Sequence, residues 1–150
     1  MEPLQISAQE LTALTEELIA GGKRVEIPTR GNSMRPMLSF EGSFVRLTAP
    51  TALKRGDVAL YRYPDGLCAL HRIVKIQKDG TLVCRGDGNL WTETVKPEWI
   101  IGVMTDFCRN GKWISANAIG YRIYSRVWMA LWPLRRIAMP IWKACKGERK

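Results

Sequence analysis

Residues 67–76 read LCALHRIVKI, an apolar run that contains the only histidine of the chain, His71. A Pro-Asp-Gly sequence at 64–66 precedes the run, and the β-rich segment 57–63 lies before that turn. Because proline presets one dihedral of a turn and glycine permits a positive one, the two segments are predicted to form a β-hairpin. Alternation along 67–76 leaves apolar side chains on both sides, which predicts a strand buried on both faces.

Outward from this hairpin, residues 23–115 have the pattern of short strands separated by tight turns. Besides the two hairpin strands, the pattern predicts strands at 23–28, 43–47, 81–85, 99–107 and 112–114. Seven short strands with tight turns indicate an all-β sheet or barrel.

Helices are predicted at both ends of the β region. Ser7 and Glu10 have the spacing of a capping box, and Gly21 stops the helix that follows. After residue 118 the apolar period becomes helical again, and Pro133 and Pro140 must interrupt or kink that helix because each removes a backbone donor. We therefore expect a mainly β domain at 1–117, including the N-terminal helix, and a basic amphipathic helical tail at 118–150.

The charge of the chain is concentrated in this tail. The net charge is +9, and residues 118–150 hold eight basic residues and one acid, so +7 of the +9 lies there. A basic, Trp-rich helix suggests an anionic partner, and its mixture of aromatic and apolar residues suits peripheral membrane contact better than nucleic acid. The proposed basic side holds Arg122, Arg126, Arg136 and Lys143, and the side available to enter a membrane holds Trp128, Leu131, Trp132 and Ile141. The alternative is a helix that buries these apolar residues against the β core.

Cysteine usage and hydropathy predict a cytoplasmic location. The four cysteines form no CxxC pair, and with one histidine a zinc site is not expected; no metal or cofactor is implied. Residues 1–20 lack the basic and apolar regions of a signal peptide, and no run approaches the roughly 20 apolar residues of a spanning helix. We expect reduced thiols in a cytoplasmic protein that contacts the inner face of a membrane through its tail.

Ser33 and His71 are candidates for a nucleophile and its base. Ser33 lies in the segment GNSMRP at 31–36, directly after a predicted strand, where a glycine-bearing turn exposes the hydroxyl. A serine becomes nucleophilic only if a base removes its proton and donors stabilise the oxyanion. Burial among apolar groups favours neutral imidazole, the form that a general base needs. The structural alternatives are an ordinary turn serine and a core histidine.

Two acids could orient the histidine. Asp87 lies in RGDGN at 85–89, after the next predicted strand, and Glu93 follows six residues later. The sequence alone leaves both open, with a slight preference for Asp87 because a glycine turn holds it close after a strand. Gly-Asp-Gly-Asn is also a plain turn sequence, and Asp57 in RGDVALY at 55–61 is expected to have a structural role at the start of its strand.

In their order along the chain, the segments 31–36, 55–61, 70–74 and 85–89 resemble the conserved boxes of the signal peptidase superfamily, which shares its fold with the LexA-type self-cleaving repressors. The resemblance covers roughly residues 25–103. In the bacterial signal peptidases the base is a lysine, whereas the position here is His71, as in the eukaryotic and archaeal type. The serine box of that type reads Ser-Met-x-Pro, as residues 33–36 do here.

The resemblance implies a coiled-sheet core and a serine endopeptidase activity. In that case Ser33 attacks a peptide carbonyl, His71 takes and returns the proton, and Asp87 or Glu93 orients the imidazole. The acidic box of the family corresponds to residues 86–89 and its further acid to Glu93, where an aspartate is usual.

The resemblance also implies how a substrate would bind. Backbone groups around Asn32 and Ser33 would bind the oxyanion, because Gly31 stands where bacterial enzymes have a helpful hydroxyl. Met34 would lie near a pocket for small residues, and the peptide substrate would bind as an extended strand. The alternatives are a non-catalytic or self-cleaving regulatory module of the same fold, and a membrane-binding or nucleic-acid-binding protein that acts through its basic tail.

Overall fold

The computed structural model describes residues 7–38 and 42–147. The side chains of Lys143 and Lys146, and residues 148–150 with two further basic residues of the tail, lie outside the described part. The described elements, in chain order, are α1 (Ala8–Ala20), β1 (Val25–Pro28), β2 (Phe44–Thr48), β3 (Val58–Arg62), β4 (Cys68–Ile76), β5 (Leu82–Arg85), β6 (Glu93–Val95), a 3₁₀ turn (Pro97–Trp99), β7 (Ile100–Arg109), β8 (Lys112–Ser115), α2 (Ile119–Ala130) and α3 (Trp132–Gly147).

The strands form one antiparallel sheet in the order β1-β2-β7-β3-β4-β5-β6, with β8 also paired to β7. The long strand β7 pairs with β2, β3 and β8, so it joins the two halves of the sheet. Register shifts interrupt three of the ladders, at Arg46/Leu47, Leu60/Tyr61 and Ile73/Lys75. Such bulges bend a strand and increase its twist.

The mainly β prediction is confirmed, together with the helices at both ends. All seven predicted strands are present, each within about two residues of its predicted ends, which is the usual uncertainty of an element boundary. The prediction missed one strand, β6, which is three residues long and pairs with β5. The capping box is present as well: the Glu10 N–H donates to the Ser7 hydroxyl at 3.2 Å, and the Ser7 N–H donates to the Glu10 carboxylate at 2.8 Å.

Both faces of the sheet are covered by apolar clusters. Strand alternation sends Val58 and Leu60 to one cluster and Ala59 and Tyr61 to the other. The first cluster also contains Ile19 of α1, Met34 and Met37 of the serine turn, and Tyr121 of α2. The N-terminal helix, the serine segment and the tail therefore pack around the same face.

The tail is helical as predicted, with a break near the first proline. The α2 helix ends at Ala130, Leu131 caps it, and α3 begins one residue before Pro133; Pro140 lies inside α3. Backbone hydrogen bonds from Leu131 N–H to Val127 and from Arg135 N–H to Leu131 continue the helical pattern across the break. No helix among residues 7–38 and 42–147 is long and apolar enough to cross a membrane.

Candidate active site

Ser33 lies on a turn that follows β1 and is held in place by its neighbours. Gly31 begins the turn with a φ of +81°, a conformation that favours glycine. Met34 follows the serine and is buried in the core, and the Leu38 N–H donates to the Met34 carbonyl at 3.0 Å. Ser33 itself is half-buried, whereas Asn32 beside it is exposed.

The glycine-rich segment 86–88 packs against the backbone of this turn. The Gly88 N–H donates to the Ser33 carbonyl at 2.8 Å. A Cβ at Gly86 would lie 2.3 Å from the Ser33 carbonyl oxygen, and one at Gly88 would lie 2.7 Å from the Asn32 carbonyl oxygen. Only glycine permits so close an approach, so the Gly-Asp-Gly sequence positions the backbone of the candidate nucleophile.

His71 lies on β4 and is bound to a carboxylate. Its Nδ1 is 2.7 Å from Oε1 of Glu93 and 2.9 Å from the Tyr61 hydroxyl. The hydroxyls of Tyr61 and Tyr63 donate to the two oxygens of the same carboxylate. The imidazole is buried, with 11% of its side chain exposed, and the Glu93 side chain is 23% exposed.

The charges of this network follow from its hydrogen bonds. Burial alone would raise the pKa of Glu93, but hydrogen bonds from Tyr61, Tyr63 and His71 outweigh it and lower the pKa below the ordinary value of 4.5. Burial and the bond to the carboxylate raise the pKa of Tyr61, and they raise that of Tyr63 to about 12. At neutral pH Glu93 is therefore an anion held by two protonated tyrosines.

Asp87 does not contact His71, so the slight preference for it as the orienting acid is corrected. Its carboxylate binds Arg72 through two bonds of 2.7 Å, from Nε and from a terminal nitrogen, and it accepts a bond of 2.9 Å from the Tyr124 hydroxyl. The cause is strand alternation, because His71 and Arg72 are adjacent on β4 and point to opposite faces. In the strand ladders, Glu93 is paired with Cys84, and Cys84 is paired with Ile73. Ile73 lies two residues after His71 on β4, so Glu93 is on the same face of the sheet as His71.

The Arg72–Asp87 pair joins the sheet to the tail. Arg72 is fully buried, and it also donates to the Tyr121 hydroxyl at 3.0 Å and to the Ser125 hydroxyl at 2.7 Å. Burial alone would lower the pKa of Arg72, but the bonds to Asp87 more than offset this and raise it. A buried pair with every donor engaged is costly to break, because removing one partner leaves the other charge without compensation.

Ser33 and His71 line one cleft of about 320 Å³, together with Gly31 and Met34. The remaining walls are mostly apolar; they come from α1, β1, β3 and β4 and include Leu11, Ile27, Leu60 and Leu70. The structure contains no hydrogen bond between the Ser33 hydroxyl and the His71 ring, so their direct engagement stays a prediction. Asn32 lies on the same turn outside the cleft lining, and Glu93 lies behind the imidazole.

Asp57 has a structural contact, in line with its expected role at the start of a strand. Its carboxylate accepts from the Lys54 N–H at 2.8 Å, just before β3, and burial raises its pKa. Within the described residues, no group of three or more His, Cys, Asp or Glu side chains could hold a metal ion. The thiols of all four cysteines are free.

The sequence did not single out Tyr61 on β3 or Tyr63 just after it, although alternation places both on the face of the sheet that holds Glu93. Their role depends on β6, whose sequence Glu-Thr-Val contains two β-branched residues but is too short to stand out.

Comparison of the chain with protein-family models, with curated proteins and with solved structures gives no match. The case for a function therefore depends on the site itself and on the order of the sequence segments.

Proposed function

We propose that this chain is a serine endopeptidase in which Ser33 is the nucleophile, His71 the general base and Glu93 the orienting acid. The observation that carries the proposal is the bond of 2.7 Å between His71 Nδ1 and Glu93, on a histidine that shares one cleft with Ser33. A nucleophile, a base and a third group that orients the base are the recurring parts of such sites.

The mechanism follows from which ring nitrogen of His71 is bound to Glu93. An ionised Glu93 accepts a hydrogen bond from the Nδ1–H of His71, so Nε2 is the nitrogen left to accept the proton of the Ser33 hydroxyl. Ser33 Oγ then attacks the peptide carbonyl, and the protonated His71 returns the proton to the leaving amine. Water repeats the sequence and releases the acyl group. Glu93 stabilises the imidazolium that forms in each half of the reaction.

The oxyanion would be bound by the Ser33 N–H and by the side-chain amide of Asn32. The turn is held rigidly by Gly88 and by the buried Met34, which favours donors that need no reorganisation during the reaction. Asn32 is exposed and lies outside the lining of the cleft, so its side chain would have to turn towards the cleft when substrate binds.

The substrate would be an extended peptide that pairs with β1. That strand pairs only with β2 among the described strands, and its residues Ile27 and Pro28 line the cleft. An unpaired edge is a template for an added strand, which gives affinity through the main chain and selectivity through side-chain pockets. The apolar walls and the volume of about 320 Å³ favour small apolar side chains beside Ser33.

The finer fold that we propose is the coiled-sheet core of the signal peptidase and LexA superfamily. Three features support it: the order of the sequence segments, the serine turn after the first strand, and the three bulged ladders. With a histidine as base, the site is most similar to the eukaryotic and archaeal type of signal peptidase.

A fluorophosphonate probe tests this proposal without knowledge of the substrate. We expect the probe to label Ser33, as mapped by mass spectrometry of the digested protein. Ser33→Ala should abolish labelling and His71→Gln should reduce it strongly, whereas the exposed serine control Ser115→Ala should label normally. Label on another residue, or none on folded protein, would overturn the assignment.

A peptide mixture then distinguishes an endopeptidase from a regulatory module. Incubation with a degenerate peptide library should produce internal cleavages that are lost in Ser33→Ala. Labelling of Ser33 without cleavage of any added peptide would instead indicate a self-cleaving or non-catalytic member of the same fold.

A further inference from the structure

The two tail helices expose a continuous row of aliphatic side chains. We call it the tail stripe, and its members are between 50% and 77% exposed: Ile119, Ile123, Val127, Leu134, Ile137 and Ile141. Their spacing of three, four or seven residues places them on one helical face, and the hydrogen bonds across Leu131 keep α2 and α3 in phase. At 1.5 Å per residue, the stripe runs for about 33 Å.

The opposite face of the tail is already occupied by the body of the protein. Tyr121, Ser125 and Met129 of α2 are buried. The Trp128 indole N–H donates to the Asp87 carbonyl at 2.8 Å, and Arg135 donates to the same oxygen at 2.7 Å. The stripe therefore lies on the side that the core does not cover.

This arrangement corrects part of the expectation for the tail. Trp128 and Trp132, expected to be available for a membrane, are half-buried, and arginines stack on them: Arg135 lies 4.0 Å from the Trp128 ring centre and Arg85 lies 4.5 Å from that of Trp132. One side of the tail helices is buried against the core, and the other side exposes apolar residues.

Basic side chains border the stripe. Arg122 and Arg126 are exposed between the buried face of α2 and the stripe. They also line a cavity of about 320 Å³ together with Lys54 and Arg55. The acid in that cavity, Asp57, accepts a backbone hydrogen bond from Lys54, and residues 107–147 contain no acid.

We propose that the tail stripe and its basic border bind the surface of a bilayer that contains anionic lipids. The aliphatic side chains would enter the interface, while Arg122, Arg126 and the cavity beside them would receive negatively charged headgroups. A second copy of the chain fits less well, because two such surfaces would bring the same positive charges together. Nucleic acid fits less well because the stripe presents aliphatic side chains rather than aromatic rings for stacking.

Vesicle sedimentation with point variants tests the proposal on the full chain. Truncation would be a poor test, since it also removes the buried face of the tail. The variant Ile123→Glu/Ile137→Glu places charges in the centre of the stripe. Two matched single variants, Ile123→Glu and Ile76→Glu, introduce the same charge at exposed isoleucines inside and outside the tail.

We expect the native chain to sediment with vesicles of phosphatidylcholine mixed with phosphatidylglycerol, and to do so less as salt rises. The double variant should bind at least about tenfold more weakly, and Ile76→Glu should bind as the native chain does. Arg122→Gln/Arg126→Gln should lose about fivefold for each arginine, whereas Lys23→Gln/Lys78→Gln should lose little.

Three results would overturn the proposal. The native chain could fail to bind these vesicles, or the stripe variants could bind as well as the native chain. Size-exclusion chromatography could also show a dimer that Ile123→Glu/Ile137→Glu dissociates, which would make a second copy the occupant. Circular dichroism and urea unfolding of each variant check that the fold is retained. Vesicle binding is measured without turnover, so its failure leaves the peptidase proposal intact, and the reverse also holds.

Discussion

Replacing Glu93 by glutamine tests the orienting role of the carboxylate with minimal change of shape. The amide keeps one oxygen that can accept from the tyrosines, so the fold should be retained. The substitution removes the negative charge beside His71 and offers an N–H to Nδ1. This favours the tautomer that carries its proton on Nε2, which cannot accept the proton of Ser33.

The size of the effect follows from the geometry. His71 Nδ1 and Glu93 Oε1 are 2.7 Å apart. With charge centres about 4 Å apart and an effective dielectric constant of about 20, the pair interacts by about 4 kcal/mol. Because 23% of the Glu93 side chain is exposed, solvent screening reduces this to about 2 kcal/mol. The loss of charge alone should then slow acylation of Ser33 about thirtyfold, and the tautomer change should add to it, towards a limit of about 10⁴-fold.

The assay is the second-order rate of fluorophosphonate labelling, compared among the native chain, Glu93→Gln and the control Glu98→Gln. Glu98 is exposed on the 3₁₀ turn, so its substitution makes the same chemical change away from the imidazole. If Glu93→Gln is folded and labels within about threefold of the native rate, the carboxylate does not orient the base, and the site is a Ser–His dyad.

Three further predictions concern stability, measured by urea unfolding. Gly86→Ala should lower the free energy of unfolding by about 1–3 kcal/mol because its Cβ would meet the Ser33 carbonyl, whereas Gly120→Ala, which meets nothing, should not destabilise. Asp87→Asn should cost about 3–5 kcal/mol, since it leaves a buried arginine charge uncompensated; a loss below about 1 kcal/mol would contradict the buried pair. Because the pKa of Glu93 is lowered in the fold, its contribution should be present above pH 4.5 and lost as the pH falls through the folded pKa; Glu93→Gln should lack this dependence, and equal acid sensitivity of the two chains would refute it.

The sheet could be predicted largely from the sequence because its strands have strong local patterns. Residues 67–76 and 99–107 are long enough for alternation and apolar content to be clear, and a glycine turn follows each of them. The three-residue strand β6 has no such pattern of its own. It forms because β5 offers it a partner, and pairing between strands distant in the sequence is invisible to local rules.

The candidate site was predictable only as a set of residues, not as a set of contacts. Ser33 and His71 follow from their segments, and they line one cleft. Which acid approaches the histidine depends on the face to which each side chain points, and one residue of register reverses that face. Asp87 follows β5 in a prominent glycine turn but binds Arg72 on the other face, whereas Glu93 belongs to the strand that local patterns did not reveal.

The carbonyl of Asp87 and the N–H of Gly88 belong to the same peptide unit. Its oxygen accepts from Trp128 and Arg135 of the tail, and its nitrogen donates to the Ser33 carbonyl. A single rigid plane thus joins the far end of the chain to the candidate nucleophile. A tag, a deletion or a partner that displaces α2 would tilt this plane. The reactivity of Ser33 would then change, although the displaced helix lies at the other end of the peptide unit.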